Sequence, residues 1–241
     1  MFKLDNVTVR TEPFTAFYLR GLLPPEFYEQ LADSFPPLAR FSFRANLGNK
    51  YLLTESEGDA YFEFVESSPP WRKFYDEIKS DSFKEQVLSF LNSNGVDAVG
   101  NGALASDLIA RFEFSALPTN GGSQRPHTDN PEKLVTLVLS LMKADEWDPR
   151  WGGGTSICRP KDETLYFNYA NDYLDFANVE IVDAFPFEPN AGVVFVKTPV
   201  SWHCVQPLKV AGASPLRKTV AISLFRETNA VAPRHDWSGN E

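Results

Sequence analysis

The chain is 241 residues long, enough for one sizeable domain with a core of its own. Apolar residues make up 43% of it and include 20 Phe, 8 Tyr and 5 Trp, which excludes a globally disordered chain. A formal charge of −9, with acidic residues in both halves, leaves no basic face of the kind that binds nucleic acid or an anionic membrane.

The two cysteines, Cys158 and Cys204, lie far apart and outside any C-x-x-C spacing, so neither a disulfide framework nor a structural zinc site is expected. The N-terminus lacks an uninterrupted apolar run, and the longest apolar stretches, such as 134–142, are far short of a membrane span. These features lead to the expectation of a soluble cytoplasmic protein.

In chain order, residues 14–19 read as a strand, and Pro24-Pro25 then suits a helix start, with Phe27, Leu31 and Phe35 following at helical spacing. Trp71, Phe74, Tyr75 and Ile78 form the apolar face of a second helix. Phe83, Val87, Phe90 and Leu91 form that of a third, which Asn94-Gly95 is placed to stop. From Asp107 the character changes to short β-branched and aromatic runs at 108–117, 134–142, 154–158, 179–184, 193–197, 201–208 and 217–226. With turn residues and no helical stretches between them, they indicate an antiparallel sandwich or barrel. The expected architecture is one α+β domain: helical and strand support over 1–106 against one outer face of a jelly-roll core over 107–226, and a polar tail over 227–241.

Histidine is scarce, with only His127, His203 and His235. His127-Thr128-Asp129 follows a turn-rich loop between two predicted strands, and in extended backbone residues i and i+2 project to the same side. An H-x-D tripeptide alone recurs by chance in many proteins. Joined by a second, distant imidazole it becomes a 2-His-1-carboxylate set, which leaves coordination positions of an Fe(II) ion open. His203, in the strand 201–208, is the candidate third ligand; His235, in the polar tail, is a poor one. Arg217 opens the strand 217–225, in which Arg217, Thr219, Ala221 and Ser223 share a face, and a strand-held guanidinium is suited to clamp a carboxylate.

The ordered set His127-Thr-Asp129, Trp151-Gly-Gly-Gly-Thr-Ser-Ile157, His203-Cys-Val205 and Arg217-Lys-Thr-Val-Ala-Ile-Ser-Leu-Phe225 resembles the Fe(II)/2-oxoglutarate-dependent oxygenases, in the branch that includes the prolyl hydroxylases. The resemblance covers about residues 108–226 and implies a double-stranded β-helix (cupin-like jelly-roll) core. It further implies that His127, Asp129 and His203 ligate Fe(II), that Arg217 binds the distal carboxylate of 2-oxoglutarate with a hydrogen bond from Thr219, and that O2 is the second cosubstrate. Thr136 and Ser140, on one face of the strand after H-x-D, are candidates to sit near the cosubstrate, although a strand hydroxyl is most often structural. The pattern departs from that of prolyl hydroxylases in having no tyrosine on the strand before or after H-x-D.

The reaction this implies is hydroxylation of a substrate C–H bond with release of succinate and CO2. A small metabolite, sugar-like or amino-acid-like, is expected in preference to a protein substrate. The alternatives are a prolyl-type peptide hydroxylase and, from another class, a non-catalytic jelly-roll binding module. Arg125 and Lys133, beside the metal loop, are candidate contacts for an anionic substrate, or else solvated loop charges. The aromatic segment 162–177 reads either as a lid over the site or as a loop packed down on the core.

Overall fold

A computed structural model describes residues 1–99, 104–210 and 215–226; the expected polar tail 227–241, with His235, lies outside the described residues. In chain order the regular elements are β1 (Val7–Arg10), β2 (Ala16–Arg20), α1 (Pro25–Asp33), β3 (Ser42–Arg44), β4 (Lys50–Thr54), α2 (Asp59–Ser67), α3 (Pro69–Lys79) and α4 (Asp81–Ser93). There follow β5 (Leu108–Pro118), β6 (Gln124–His127), β7 (Lys133–Ser140), β8 (Ser156–Pro160), β9 (Val179–Ala184), β10 (Ala191–Val196), β11 (His203–Val205) and β12 (Leu216–Arg226).

The strands form two antiparallel sheets, one of eight in the order β1-β2-β10-β7-β12-β5-β4-β3 and one of four in the order β6-β11-β8-β9. Take the eight strands from β5 to β12 in sequence. The first, third, sixth and eighth lie together in the large sheet, and the second, fourth, fifth and seventh make the small one. That alternation between facing sheets is the double-stranded β-helix, or jelly roll, expected from the run of short strands. The N-terminal region adds β1 and β2 at one edge of the large sheet and the β3–β4 hairpin at the other.

Alternation along β5 and β12 sorts the two faces of the large sheet. Ala110, Phe112 and Phe114, with Val220, Ile222 and Leu224, point outward into the main core beneath the helices. Trp71 of α3 is fully buried there, its ring centroid 4.6 Å from that of Phe114 and its indole N–H donating to the Ser34 carbonyl at 2.8 Å. The helices therefore cover one outer face of the sandwich, as expected. Helix α2 and the β3–β4 hairpin fall in a stretch that local periodicity leaves unassigned.

Inside the sandwich, Phe14, Tyr18, Ile157, Phe185, Val193 and Phe195 fill one end with apolar side chains. Towards the other end the inward faces of the strands carry polar residues around an open cavity of about 230 Å³.

Candidate metal centre

His127 ends β6 and His203 begins β11, and the two are direct partners in the antiparallel ladder. Cross-strand partners stand side by side on one face, which sets the imidazole centroids 4.3 Å apart. Each ring is oriented by a short backbone contact: Nδ1 of His127 lies 2.8 Å from the Arg125 carbonyl oxygen, and Nδ1 of His203 lies 2.9 Å from that of Ser201. A carbonyl can only accept, so each Nδ1 carries a proton, and Nε2 is the ring atom turned towards the site.

Asp129 joins them by a route that differs from the expected one. Instead of extended backbone, it has φ of 67°, the left-handed region uncommon for a residue with a side chain. The chain turns sharply there, and the carboxylate swings back to lie 3.4 Å from Nε2 of His127. One ligand atom from each of His127, Asp129 and His203 fits within 4.8 Å of the others, and all three residues are buried.

The electrostatics favour the ligating protonation states of Asp129 and His203. Burial alone would raise the Asp129 carboxyl, but Lys133 and the two imidazoles hold it well below the usual carboxylate range. Lys133 Nζ approaches Oδ1 at 3.4 Å, and the Thr136 hydroxyl donates to Oδ2 at 2.8 Å. Burial, reinforced by His127, pushes His203 down to about 4, so its ring is neutral at physiological pH.

Arg217 lines the same cavity from β12 and is only 4% exposed. Its Nε donates to the Gly153 carbonyl, and its guanidinium lies 4.6 Å from the centre of the Phe187 ring. Burial lowers its pKa to about 9, which still leaves it charged. Among the described residues no carboxylate forms an ion pair with it. The glycine run makes room for this arrangement: a Cβ on Gly153, whose φ is 82°, would sit 2.9 Å from the Trp147 ring.

Thr219 also lines the cavity, one step along the same face of β12 from Arg217. Of the two hydroxyls expected near the cosubstrate, Thr136 lines the cavity but is engaged with Asp129, while Ser140 is buried off its wall. Lys133 lines the cavity beside Asp129. Arg125 does not: it pairs with Asp175 at 2.9 Å and sits over the Tyr173 ring, whose centre is 6.0 Å away. Cys204 packs with Cys158, Trp202 and Val179 in a small apolar cluster, and both thiols are free.

The aromatic segment is divided between the two roles considered for it. Leu174 and Phe176 pack against the Cys158–Cys204 cluster, and the Trp202 indole N–H donates to the Tyr166 carbonyl at 2.8 Å. Tyr173 and Asn171 instead turn into the cavity wall, with Tyr173 stacked on His127 at 5.1 Å and 7°. A tyrosine thus reaches the site, though from the 162–177 segment and not from the strands beside H-x-D. The cavity also takes Lys50 and Leu52 from β4, Glu113 from β5 and Gln124 from β6. Glu113 was legible as a polar residue on the inner face of a strand; Lys50 depends on a pairing across more than 60 residues and had no local signal.

No protein-family model matches the chain. Over 62 residues it is 39% identical to the [F-actin]-monooxygenase MICAL2 of Mus musculus, a match that takes in 26% of this chain and 3% of that protein. Among solved structures it is similar to a Pseudomonas putida prolyl-4-hydroxylase, with 16% identity, 88% of this chain and 92% of that one covered, and a TM-score of 0.46. It is also similar to a prolyl hydroxylase of Trichoplax adhaerens in complex with a hypoxia inducible factor peptide, with 12% identity, coverage of 88% and 83%, and a TM-score of 0.47. These likenesses are too distant to assign an activity, which rests on the residues of the site.

Proposed function

We propose that the chain is an Fe(II)- and 2-oxoglutarate-dependent dioxygenase that hydroxylates a C–H bond of a small metabolite. The observation that carries this reading is the pairing, in one cavity, of a buried His-Asp-His set with a buried arginine that has no acidic partner among the described residues. Two imidazoles and one carboxylate are the donor set of non-haem Fe(II) oxygenases, and three protein ligands leave positions free for other reactants. A buried, unneutralised guanidinium is costly unless an anion completes it. The distal carboxylate of 2-oxoglutarate is such an anion, and a guanidinium holds a carboxylate through two parallel hydrogen bonds.

His127, Asp129 and His203 would hold the metal, and Arg217, with Thr219 beside it, the cosubstrate. Bound there, Fe(II) with 2-oxoglutarate and O2 supplies oxidative decarboxylation to succinate and CO2 together with hydroxylation of the substrate. The protein's part is orientation and exclusion of water. Thr136 fixes the Asp129 carboxylate by its hydrogen bond, the backbone carbonyls of Arg125 and Ser201 fix the two imidazoles, and Tyr173 and Phe195 shield the rings from either side.

A cavity of about 230 Å³ lies below the usual range for drug-sized ligands and is walled by Tyr173, which favours a small molecule over a polypeptide as substrate. The test is aerobic consumption of 2-oxoglutarate by the Fe(II)-loaded protein, with succinate as product, abolished in Asp129→Ala. Full turnover in that variant, or no turnover by the native chain with any of a broad panel of small metabolites, would contradict the reading. A non-catalytic binding module predicts the latter.

A further inference from the structure

Three cations, Lys50, Lys133 and Arg217, and two carboxylates, Glu113 and Asp129, line the cavity. Asp129 and Arg217 are committed to metal and cosubstrate on the reading above, on which this inference rests, and Lys133 is drawn to Asp129. A divalent metal and a dianionic cosubstrate cancel one another, so the loaded cavity keeps one net positive charge. Lys50 is the cation that is neither held by Asp129 nor given to the cosubstrate, and its partner Glu113 also acts on Lys133. It is mostly buried, its side chain 16% exposed, and its one ion-pair contact is a long 3.5 Å approach to Glu113. A partly exposed ammonium held at this distance has donors to spare, and a carboxylate placed against it can take them.

Two further atoms lack partners. Gln124 Oε1 and Asn171 Oδ1 are buried and accept no hydrogen bond from the protein, although both residues line the cavity. Buried amide oxygens are normally satisfied, so this pair calls for a ligand bearing N–H or O–H groups. Asn171 has φ of 62°, in the left-handed region that asparagine enters more readily than most residues. The loop that carries it is tied down: Asn168 binds the backbone N–H groups of Ala170 and Asp172 at 3.2 and 3.0 Å, and Lys197 donates to the Asn168 carbonyl at 3.2 Å.

We propose that Lys50, Gln124 and Asn171 form the substrate subsite, and that it takes a small carboxylic acid bearing an amine or hydroxyl group. Lys50 binds the carboxylate, and the two amide oxygens accept from the amine or hydroxyl; an ammonium group gains Glu113 as a further acceptor. The subsite is assembled from both halves of the chain. The tip of the β3–β4 hairpin is pinned where the Ser123 N–H donates to the Gly48 carbonyl at 2.8 Å and Asn49 donates to the Gly121 carbonyl at 3.2 Å.

The test is a panel assayed with the Fe(II)-loaded full chain for succinate release: free amino acids, hydroxy acids, the carboxamides of both, neutral sugars and prolyl peptides. Acids of one of the first two classes should raise succinate release at least tenfold over the rate without substrate, and their carboxamides should not. The amino-acid and hydroxy-acid arms decide which donor the amides receive. The active acid should also bind in anaerobic calorimetric titration of protein loaded with Fe(II) and 2-oxoglutarate, a readout independent of turnover. Lys50→Ala should weaken that binding at least tenfold and Lys50→Arg restore most of it; should Lys50→Ala fail to fold, the acid-against-carboxamide comparison decides alone. Acceleration by sugars or peptides and by no acid overturns the proposal while leaving the dioxygenase reading intact. Absence of 2-oxoglutarate turnover with every compound takes both down.

Discussion

Arg217 and Asp129 are both buried charges at the two ends of one reactant site, yet their replacement should separate cleanly. On the proposed function Arg217→Ala removes a carboxylate clamp and no ligand, so the apparent requirement for 2-oxoglutarate should rise on the order of a hundredfold, equivalent to about 3 kcal/mol for a charged bidentate contact, while Fe(II) binding persists. Loss of metal binding in that variant would count against the role given to Arg217. Thr136→Val, which deletes the 2.8 Å hydrogen bond to Asp129 Oδ2, should weaken metal affinity by about ten- to a hundredfold, as measured by competition with a chelator. An affinity unchanged by that substitution would show the carboxylate to be oriented without it. The metal-free chain should also be acid-labile because of His203. Its ring titrates at about 4 when folded, against the ordinary 6.5, so between those values the unfolded chain takes up a proton that the folded chain refuses. The contribution is fully present above pH 6.5 and falls away towards pH 4, by about 3 kcal/mol in all. Denaturant unfolding of metal-free protein at pH 7 and pH 4.5 measures it, and equal midpoints would contradict it.

Individual elements differ in how far they could be read from their residues. The helices at Trp71–Ile78 and Phe83–Leu91 and the strand carrying Arg217 and Thr219 show their period locally, because each has one face in the core and so a strict apolar spacing. The approach of Asp129 to His127 is a backbone event, a left-handed residue that the tripeptide does not announce; extended alternation reached the right grouping by the wrong geometry. The β3–β4 hairpin is harder still, since what places Lys50 in the cavity is pairing of β4 with β5 and the docking of Gly48 against Ser123. That docking can be tested on the element itself. At Gly48, with φ of 89°, a Cβ would fall 2.3 Å from the Ser123 carbonyl oxygen. Gly48→Ala should therefore cost more than about 1 kcal/mol in denaturant unfolding and loosen the hairpin from the cavity rim. Unchanged stability would show that the tip gives way freely.

For the whole molecule, the division of labour runs across the large sheet. Its outer face makes an aromatic core with the helices, and its inner face, opposite the small sheet, is left free to carry polar groups. Trp71→Ala should cost about 3 to 5 kcal/mol, because a fully buried indole leaves a cavity between helix and sheet, and should leave the cosubstrate requirement of the surviving folded protein unchanged. Among the described residues no helix is long and apolar enough to cross a membrane. The antiparallel sandwich was legible from strand number and spacing. The cavity was legible only at its His-Asp-His end, where the chemistry resides in a few residue types; the proposed substrate subsite draws single polar side chains from β4, β5, β6 and the 162–177 segment, which only the fold brings together.

The most direct measurement is spectroscopic. Fe(II) added without oxygen to the full chain, followed by 2-oxoglutarate, should give the visible metal-to-ligand charge-transfer absorption of a chelated keto acid. The absorption should be absent from Asp129→Ala and reached only at higher 2-oxoglutarate in Arg217→Ala. A native chain that binds Fe(II) but develops no such absorption at any 2-oxoglutarate concentration would contradict the assignment of His127, Asp129, His203 and Arg217 to one oxygenase site.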